Sequence, residues 1–453
     1  MSTTRTGGTA ALRDAIRDAA IELRTPDDVG PIVERLRGAR IVLLGEATHG
    51  THEFYALRAA ITLRLVAEHG FDAVAVEADW PDALRVARHL RGDADVADAR
   101  DALAGFERFP RWMWRNHEVL QLVTALRTHN QRLAPTARVG FYGIDVYSLR
   151  ASIDAVLRFL AGVDPELARQ ARDRYACFDG LADEPQRYGW AARRGLVDSC
   201  EDSAVQQLAA LCARSARDLP RAAGVQGADE LFYAQQNARV VRGAEQYFRA
   251  LYRGGTAAWN LRDTHMADTV QALARHLHHQ RGRPARLVVW AHNSHIGDAR
   301  ATAMGEGGEI NLGQLMRQRA AAPGDVFLLG FTTHGGHVAA ASDWDQPVLH
   351  QRVRPALEGS VEKLLHDAGV QRALVPLSHP ALEPALSARW LERAIGVVYR
   401  PDTERHSHYF GAHPARQFDA IVHVDRTRAV TPLDAAAEWQ AAGAEAETFP
   451  SGL

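Results

Sequence analysis

Glu46 and His49 stand three residues apart in "IVLLGEATHGTHEF", just past an apolar run that ends at Leu44. A carboxylate and an imidazole at that spacing can make a general base, because a neutral imidazole accepts a proton near neutral pH and a carboxylate on its N–H fixes the tautomer. The pattern of an apolar run with an ionisable end recurs along the chain. "VAVEADWP" carries Glu77 and Asp79, "FYGID" ends on Asp145, "VVWAHNSH" holds His292 and His295, and "FLLGFTTH" ends on His334. In open α/β sheets ligands bind outside the carboxyl ends of the strands, so these five ends predict one shared site. Plainer roles compete at some positions: Thr51 and Asp79 suit helix caps, and Asp145 suits the opening of a helix near Ser148.

The elements that must position these groups follow from the periodicity. Short β-branched runs at 40–44, 71–76, 138–142, 286–290 and 326–331 alternate with helical patterns at 53–69, 81–90 and 117–132, which predicts an α/β sheet covered on both faces. Residues 1–148 and 283–345 are therefore assigned to a three-layer α/β core. Residues 149–282 lack a convincing strand and contain "ELFYAQQNARVVRGAEQYFRALY", so they read as a helical insertion placed to act as a lid. Residues 346–453 read as a smaller C-terminal α+β region, with a helix at 360–368, strands at 372–375, 394–399 and 420–424, and a fraying tail after Leu433.

Composition narrows the function. The 453 residues carry a net charge of −2, with 46% hydrophobic and 24% charged residues, an ordinary globular balance with no basic tract for nucleic acid. The opening segment is amphipathic rather than a signal peptide, and no apolar run is long enough to span a bilayer. The expectation is a cytoplasmic protein without membrane or nucleic-acid partners, whose cysteines Cys177, Cys200 and Cys212 are reduced.

The blocks "LLGEATHGTHEFYALR", "VAVEADWPDA", "FPRWMWRN", "GFYGIDVYSL", "AAWNLRDTHMADT", "VVWAHNSHIGD" and "SHYFGAHPARQFDAIVHVDRTRAVTPL" run in order along the chain, and together they resemble the erythromycin esterase family. The resemblance implies hydrolysis of a carboxylic ester, such as a macrolide lactone, by water that His49 activates. It maps the other active-site positions onto Glu46, Arg58, Glu77, His292 and His295. No GxSxG elbow surrounds any serine, which speaks against a serine-esterase triad.

The residues leave several roles open. Either Glu46 or Glu77 could orient His49. Arg58 could stabilise developing negative charge at the substrate or form a salt bridge with Glu46 or Glu53. Asp145 is assigned to substrate binding, and the "RWMWRN" and "EADWP" aromatics, Trp112 among them, are candidate apolar walls for a small-molecule ester. No cofactor is required for this chemistry. A divalent metal on His292, His295 and carboxylates from other strands is the competing arrangement, with an open position for water. Two other readings keep the site: a hydrolase or transferase of secondary-metabolite or polysaccharide biosynthesis, and a non-enzymatic metal- or haem-binding protein.

Overall fold

A computed structural model describes residues 3–25, 28–93, 95–213, 224–434 and 439 of the chain. Its centre is an eight-stranded sheet. The strands in chain order are β1 (Ile21–Glu22), β2 (Ile41–Leu44), β3 (Ala73–Asp79), β4 (Gly140–Asp145), β5 (Leu287–Trp290), β6 (Val326–Thr332), β7 (Gly335–Ala341), β8 (Val348–Val353), β9 (Arg372–Pro376), β10 (Trp390–Arg393), β11 (Tyr409–Ala412), β12 (Ala420–Val424) and β13 (Arg426–Thr427). The main sheet runs β1-β9-β12-β6-β2-β5-β3-β4. From β12 to β4 every pairing is parallel, while β9 and β1 add antiparallel pairings at one edge.

Alternate residues of the central strands enter two separate cores. Val42, Leu44, Val74, Val76, Val288 and Trp290 pack on one face. Leu43, Ala73, Ala75, Leu287 and Val289 pack on the other. The period of two along a strand thus fills both faces, as three layers require. Helices α1 (Thr3–Ala19), α2 (Gly30–Leu36), α3 (His52–His69), α4 (Trp80–Arg91), α5 (Ala99–Leu103) and α6 (His117–Asn130) lie in the first part of the chain. The run α7 (Leu149–Val163), α8 (Pro165–Tyr175), α9 (Pro185–Arg193), α10 (Glu201–Cys212), α11 (Gly224–Leu251) and α12 (Ala257–Arg281) follows without a strand. Residues from α7 to α11 bury a core of their own, including Leu149, Val156, Tyr188, Val241 and Phe248. Within this helical stretch Cys177 is bonded to Cys200, with a Cα–Cα separation of 5.9 Å, and Cys212 is free and exposed. The expectation of three reduced cysteines is corrected for that pair. Among the described residues no helix is long and apolar enough to cross a membrane.

The C-terminal stretch departs from its sequence reading. Residues beyond 345 do not stand apart as a region: β9 and β12 complete the main sheet, with β12 paired to both β6 and β9. The run at 394–399 is not a strand, because its main chain is spent on isolated contacts: Ile395 N donates to Ala47 O at 2.8 Å and Tyr399 N to Ala341 O at 3.0 Å. The strand of this stretch lies just before it, at β10, which pairs with β11. The tail after Leu433 falls outside the described residues, apart from residues 434 and 439.

Candidate active site

The loop after β2 is held from four sides. Glu46 O accepts from Asn293 N at 2.8 Å, Ala47 O accepts from Ile395 N, and Gly50 O accepts from Ala339 N and Val430 N at 3.0 and 2.9 Å. Two glycines make this possible. A Cβ on Gly45 would sit 2.1 Å from Asn293 Oδ1, and one on Gly50 would sit 1.9 Å from the Ala339 carbonyl oxygen. The Asn293 side chain uses the space over Gly45 to bridge to β6, donating to Phe331 O at 2.7 Å.

On this platform Glu46 Oε1 contacts His49 Nδ1 at 3.0 Å, and Arg58 Nη2 donates to Glu46 Oε2 at 2.7 Å. Glu46, not Glu77, therefore orients His49. Arg58 comes from α3, is fully buried, and lies between the rings of Tyr55 and Trp290, 4.4 and 4.5 Å from their centroids. It does not line the cavity, so its assignment to substrate binding is corrected: it holds Glu46. With Nδ1 committed, the Nε2 side of His49 is left for the cavity the residue lines.

The opposite wall is a charge cluster around Glu77 at the end of β3. Glu77 Oε2 accepts from His292 N at 2.8 Å, and Oε1 accepts from Arg262 Nη2 at 2.7 Å and lies 3.3 Å from His295 Nε2. Burial opposes the Glu77 anion, but His295 and Arg262 outweigh it and hold the carboxyl well below its usual range. Asp145, at the end of β4, grips Arg262 through both oxygens at 2.9 and 2.7 Å, and its pKa is lowered because this guanidinium overcomes burial. Asp145 thus sets Arg262 in place and does not open a helix.

His292 and His295 sit in α13 (Asn293–Ile296) and at its N-cap. Ser294 N donates to His292 Nδ1 at 3.2 Å, so the ring carries its proton on Nε2. That Nε2–H makes no full hydrogen bond, though the Ala47 carbonyl lies close enough to favour the proton there. Burial first, then the neighbouring His49, pushes His292 down to about 3, which leaves a neutral ring 4.8 Å from the ring of His49. His295 is its opposite. Nδ1 contacts both oxygens of Asp263 at 2.9 Å, and Trp259 stacks on the ring at 4.5 Å. Two groups compete for Nε2: Arg262 Nη1 at 3.0 Å needs a lone pair there, and Glu77 Oε1 needs a proton. Burial and Arg262 disfavour the imidazolium, but Asp263 and Glu77 prevail and raise the ring to about 9. Burial raises the Asp263 carboxyl, while N–H contacts from His295 and Leu312 support its anion.

His49, Glu77, Asp145, Arg262, His292 and His295 line a cavity of about 300 Å³ together with Asp79, Arg108, Phe109, Tyr147 and Trp344. Four of the five strand ends meet there. The fifth does not: His334 after β6 stacks on His366 at 3.7 Å, beside Asp425. Trp112 is also absent from this cavity: it packs in the core and lines a second cleft of about 940 Å³ that shares Phe109 with the first. The sequence reading missed Arg262, Asp263 and Trp259. Their signal was the spacing i, i+3, i+4 on α12, which puts an aromatic, a cation and an acid on one helix face. Among the described residues no three His, Cys, Asp or Glu side chains gather to hold a metal ion.

The strand ends of this α/β sheet bring a carboxylate-held histidine to within 4.8 Å of a second, neutral histidine, with a third lining the same cavity, an arrangement suited to acid–base chemistry. The chain matches the erythromycin esterase family over residues 66–427 and belongs to that family, which makes it a hydrolase. The matched span contains Glu77, Asp145, Arg262, Asp263, His292 and His295, whereas Glu46, His49 and Arg58 precede it. Over 363 residues the chain is 24% identical to erythromycin esterase type II of Escherichia coli, covering 77% of this chain and 83% of that protein. Its fold is similar to that of a succinoglycan biosynthesis protein, with a TM-score of 0.76 and 19% identity over 94% of this chain and 99% of the other. It is also similar to an erythromycin esterase mutant in its open conformation, with a TM-score of 0.65 and 18% identity over 92% and 99% of the two chains.

Proposed function

We propose that the protein hydrolyses a carboxylic ester, a macrolide lactone being one candidate, with His49 as the general base. The observation that carries this reading is the relay Arg58–Glu46–His49, which spends Nδ1 and leaves Nε2 towards the cavity. Nε2 takes a proton from water, and the resulting hydroxide attacks the ester carbonyl. Glu46 stabilises the imidazolium that forms. Arg262 faces the developing oxyanion, and the neutral His292 supplies an unspent N–H beside the base. His295, charged at neutral pH, gives its proton to the departing alkoxide, so the products are the acid and the alcohol. General acid–base help of this kind contributes on the order of 10²–10⁴ in rate.

The reading includes no metal. Its support is His295 Nε2, which faces Arg262 Nη1 at 3.0 Å and Glu77 Oε1 at 3.3 Å and so offers no free lone pair to a metal ion. The test is a panel of macrolides and simple alkyl and aryl esters, followed by mass spectrometry for the gain of one water. The wild type gains that mass and keeps its rate after chelation, whereas folded His49→Ala does not turn over. Near-native rates in folded His49→Ala would reject the assignment of the base, and loss of rate on chelation, restored by a divalent ion, would reject the metal-free form.

A further inference from the structure

Tyr147, two residues past the end of β4, belongs to two parts of the molecule at once. Its ring lines the cavity and also packs against the core that α7 to α11 bury. Two guanidinium groups of the cavity wall, Arg108 and Arg262, lie over that ring, each with its central carbon 4.8 Å from the centroid. A strand-end carboxylate holds each of them along its edge. Asp79 takes Nε and Nη2 of Arg108 at 2.8 and 3.1 Å, and Asp145 takes Nε and Nη2 of Arg262 at 2.9 and 2.7 Å. From α11, Tyr247 meets the Tyr147 ring edge to face at 5.1 Å and donates its hydroxyl to the Tyr147 oxygen at 3.4 Å. Gly243 lets α11 come this close, because a Cβ there would sit 2.9 Å from Cγ2 of Val146, the residue before Tyr147. Gly243 and Tyr247 are about one helical turn apart, so both face the loop after β4.

A guanidinium bonded along its edge can still turn about that edge, because hydrogen bonds in its plane leave its faces free. A ring over one face removes that freedom, and the ring quadrupole attracts the charge. For Arg262 the orientation matters: Nη2 reaches Glu77 at 2.7 Å and Nη1 lies 3.0 Å from His295 Nε2. Core packing accounts for the contacts of Tyr147 with α11, but not for two cations drawn over the same ring. We propose that Tyr147 is a positioning residue, itself held by Tyr247 of α11, that fixes Arg262 against Glu77 and His295. Through it, helices α7 to α11 set the charge geometry of a site whose acids and histidines come from strand ends. The effect on rate rests on the hydrolase reading, but the placement of Arg262 does not require turnover.

The test compares full-length wild type with Tyr147→Phe, Tyr147→Leu and Tyr247→Leu. It reads the His295 titration by imidazole NMR, and kcat and KM on an alkyl ester. In the wild type Arg262 opposes the charged form of His295, which titrates at about 9. Releasing Arg262 in Tyr147→Leu should raise that value by about one pH unit and lower kcat about tenfold, with KM changed less than about twofold. Tyr147→Phe loses only the hydroxyl and is expected to keep both wild-type values. Tyr247→Leu removes the edge-on support and should move both readings in the same direction by less, about threefold in kcat. A site that is merely looser and wetter would instead let His295 fall towards its ordinary 6.5, so a fall in folded Tyr147→Leu overturns the proposal. So does a wild-type titration in that variant, or a Tyr147→Phe as impaired as Tyr147→Leu. Unchanged readings in Tyr247→Leu overturn the part assigned to the helices. If Tyr147→Leu fails to fold, the titration in Tyr247→Leu decides. A raised titration in a protein that cleaves no ester would reject the hydrolase reading and leave this placement standing.

Discussion

Asp263→Asn isolates the acid half of the proposed mechanism. The amide keeps an oxygen for His295 Nδ1 but removes the charge that, after burial, acts most strongly on the ring. A unit charge about 4 Å away, at an effective dielectric near 20, is worth roughly 4 kcal/mol, or about 3 pH units at 1.36 kcal/mol each. His295 should therefore fall from about 9 to roughly 6 in the variant. At pH 7.5 the charged fraction drops from roughly 97% to roughly 3%, a loss of about thirtyfold in any step that needs the proton. The assay compares an alkyl ester, whose alkoxide needs that proton, with a p-nitrophenyl ester, whose phenolate does not. In the wild type the alkaline limb of kcat/KM for the alkyl ester lies near 9, and in Asp263→Asn it moves to roughly 6. The p-nitrophenyl ester should lose little. An alkaline limb that stays near its wild-type position, or equal losses on both esters, would refute the assignment of His295 as the acid.

Three further outcomes follow from the same geometry. Arg58→Met should cost about 3–5 kcal/mol in denaturant unfolding and lower kcat, because it strands a buried Glu46 beside His49; full stability would show that Arg58 is not the counter-charge. Gly50→Ala must move the loop off the Ala339 carbonyl and carry His49 with it, so kcat should fall about a hundredfold, and a wild-type rate would mean that the loop position does not matter. Stability should peak near pH 6.5 in unfolding experiments. His295, raised to about 9, contributes fully below 6.5 and loses that contribution as pH rises to 9. His292, depressed to about 3, causes no penalty above 6.5 and a growing one as pH falls towards 3. Each slope is on the order of 3–5 kcal/mol in full, and a flat profile in both His292→Asn and the wild type would contradict the burial argument.

Local pattern reached far in this chain where chemistry follows local rules. The strand reading at 40–44 became β2 at Ile41–Leu44, and the residues picked by the carboxyl-end rule, His49, Glu77, Asp145, His292 and His295, line one cavity, with Glu46 behind His49. It failed where the deciding contact is remote. β12 slots beside β6 and pairs back onto β9, and no periodicity in 372–424 encodes that partner. The apolar run at 394–399 has strand composition but lies along the His49 loop, where Thr48 and Ile395 meet as an isolated bridge. His334 ends a buried strand as the others do, yet β6 turns at once through Gly335 into β7, and the ring goes to His366 instead. Arg262 and Asp263 were hidden for a different reason. On a long helix with Ala and His around them, a charged pair looks like solvent-facing surface until the strand ends it touches are known.

The contrast between His292 and His295 shows what sets the electrostatics of this site. The two rings are three residues apart and almost equally buried, at 4% and 2% exposure, yet one stays neutral down to about 3 and the other stays charged up to about 9. Burial alone would depress both. The difference comes first from Asp263, which sits on Nδ1 of His295 alone, and then from how Glu77 is divided. Its Oε2 is spent on the main-chain N–H of His292, so the nearest strong acceptor fixes that residue's backbone rather than charging its ring. Its Oε1 faces the ring of His295, which also has Asp263 on the far nitrogen. One carboxylate thus anchors the α13 turn and joins Asp263 in charging His295, while its pull on His292 is outweighed by burial and His49; Arg262 keeps that carboxylate ionised and Asp145 keeps Arg262 in place. A neutral donor and a charged acid therefore arise three residues apart from the placement of Asp263 on α12 and of a single β3 side chain.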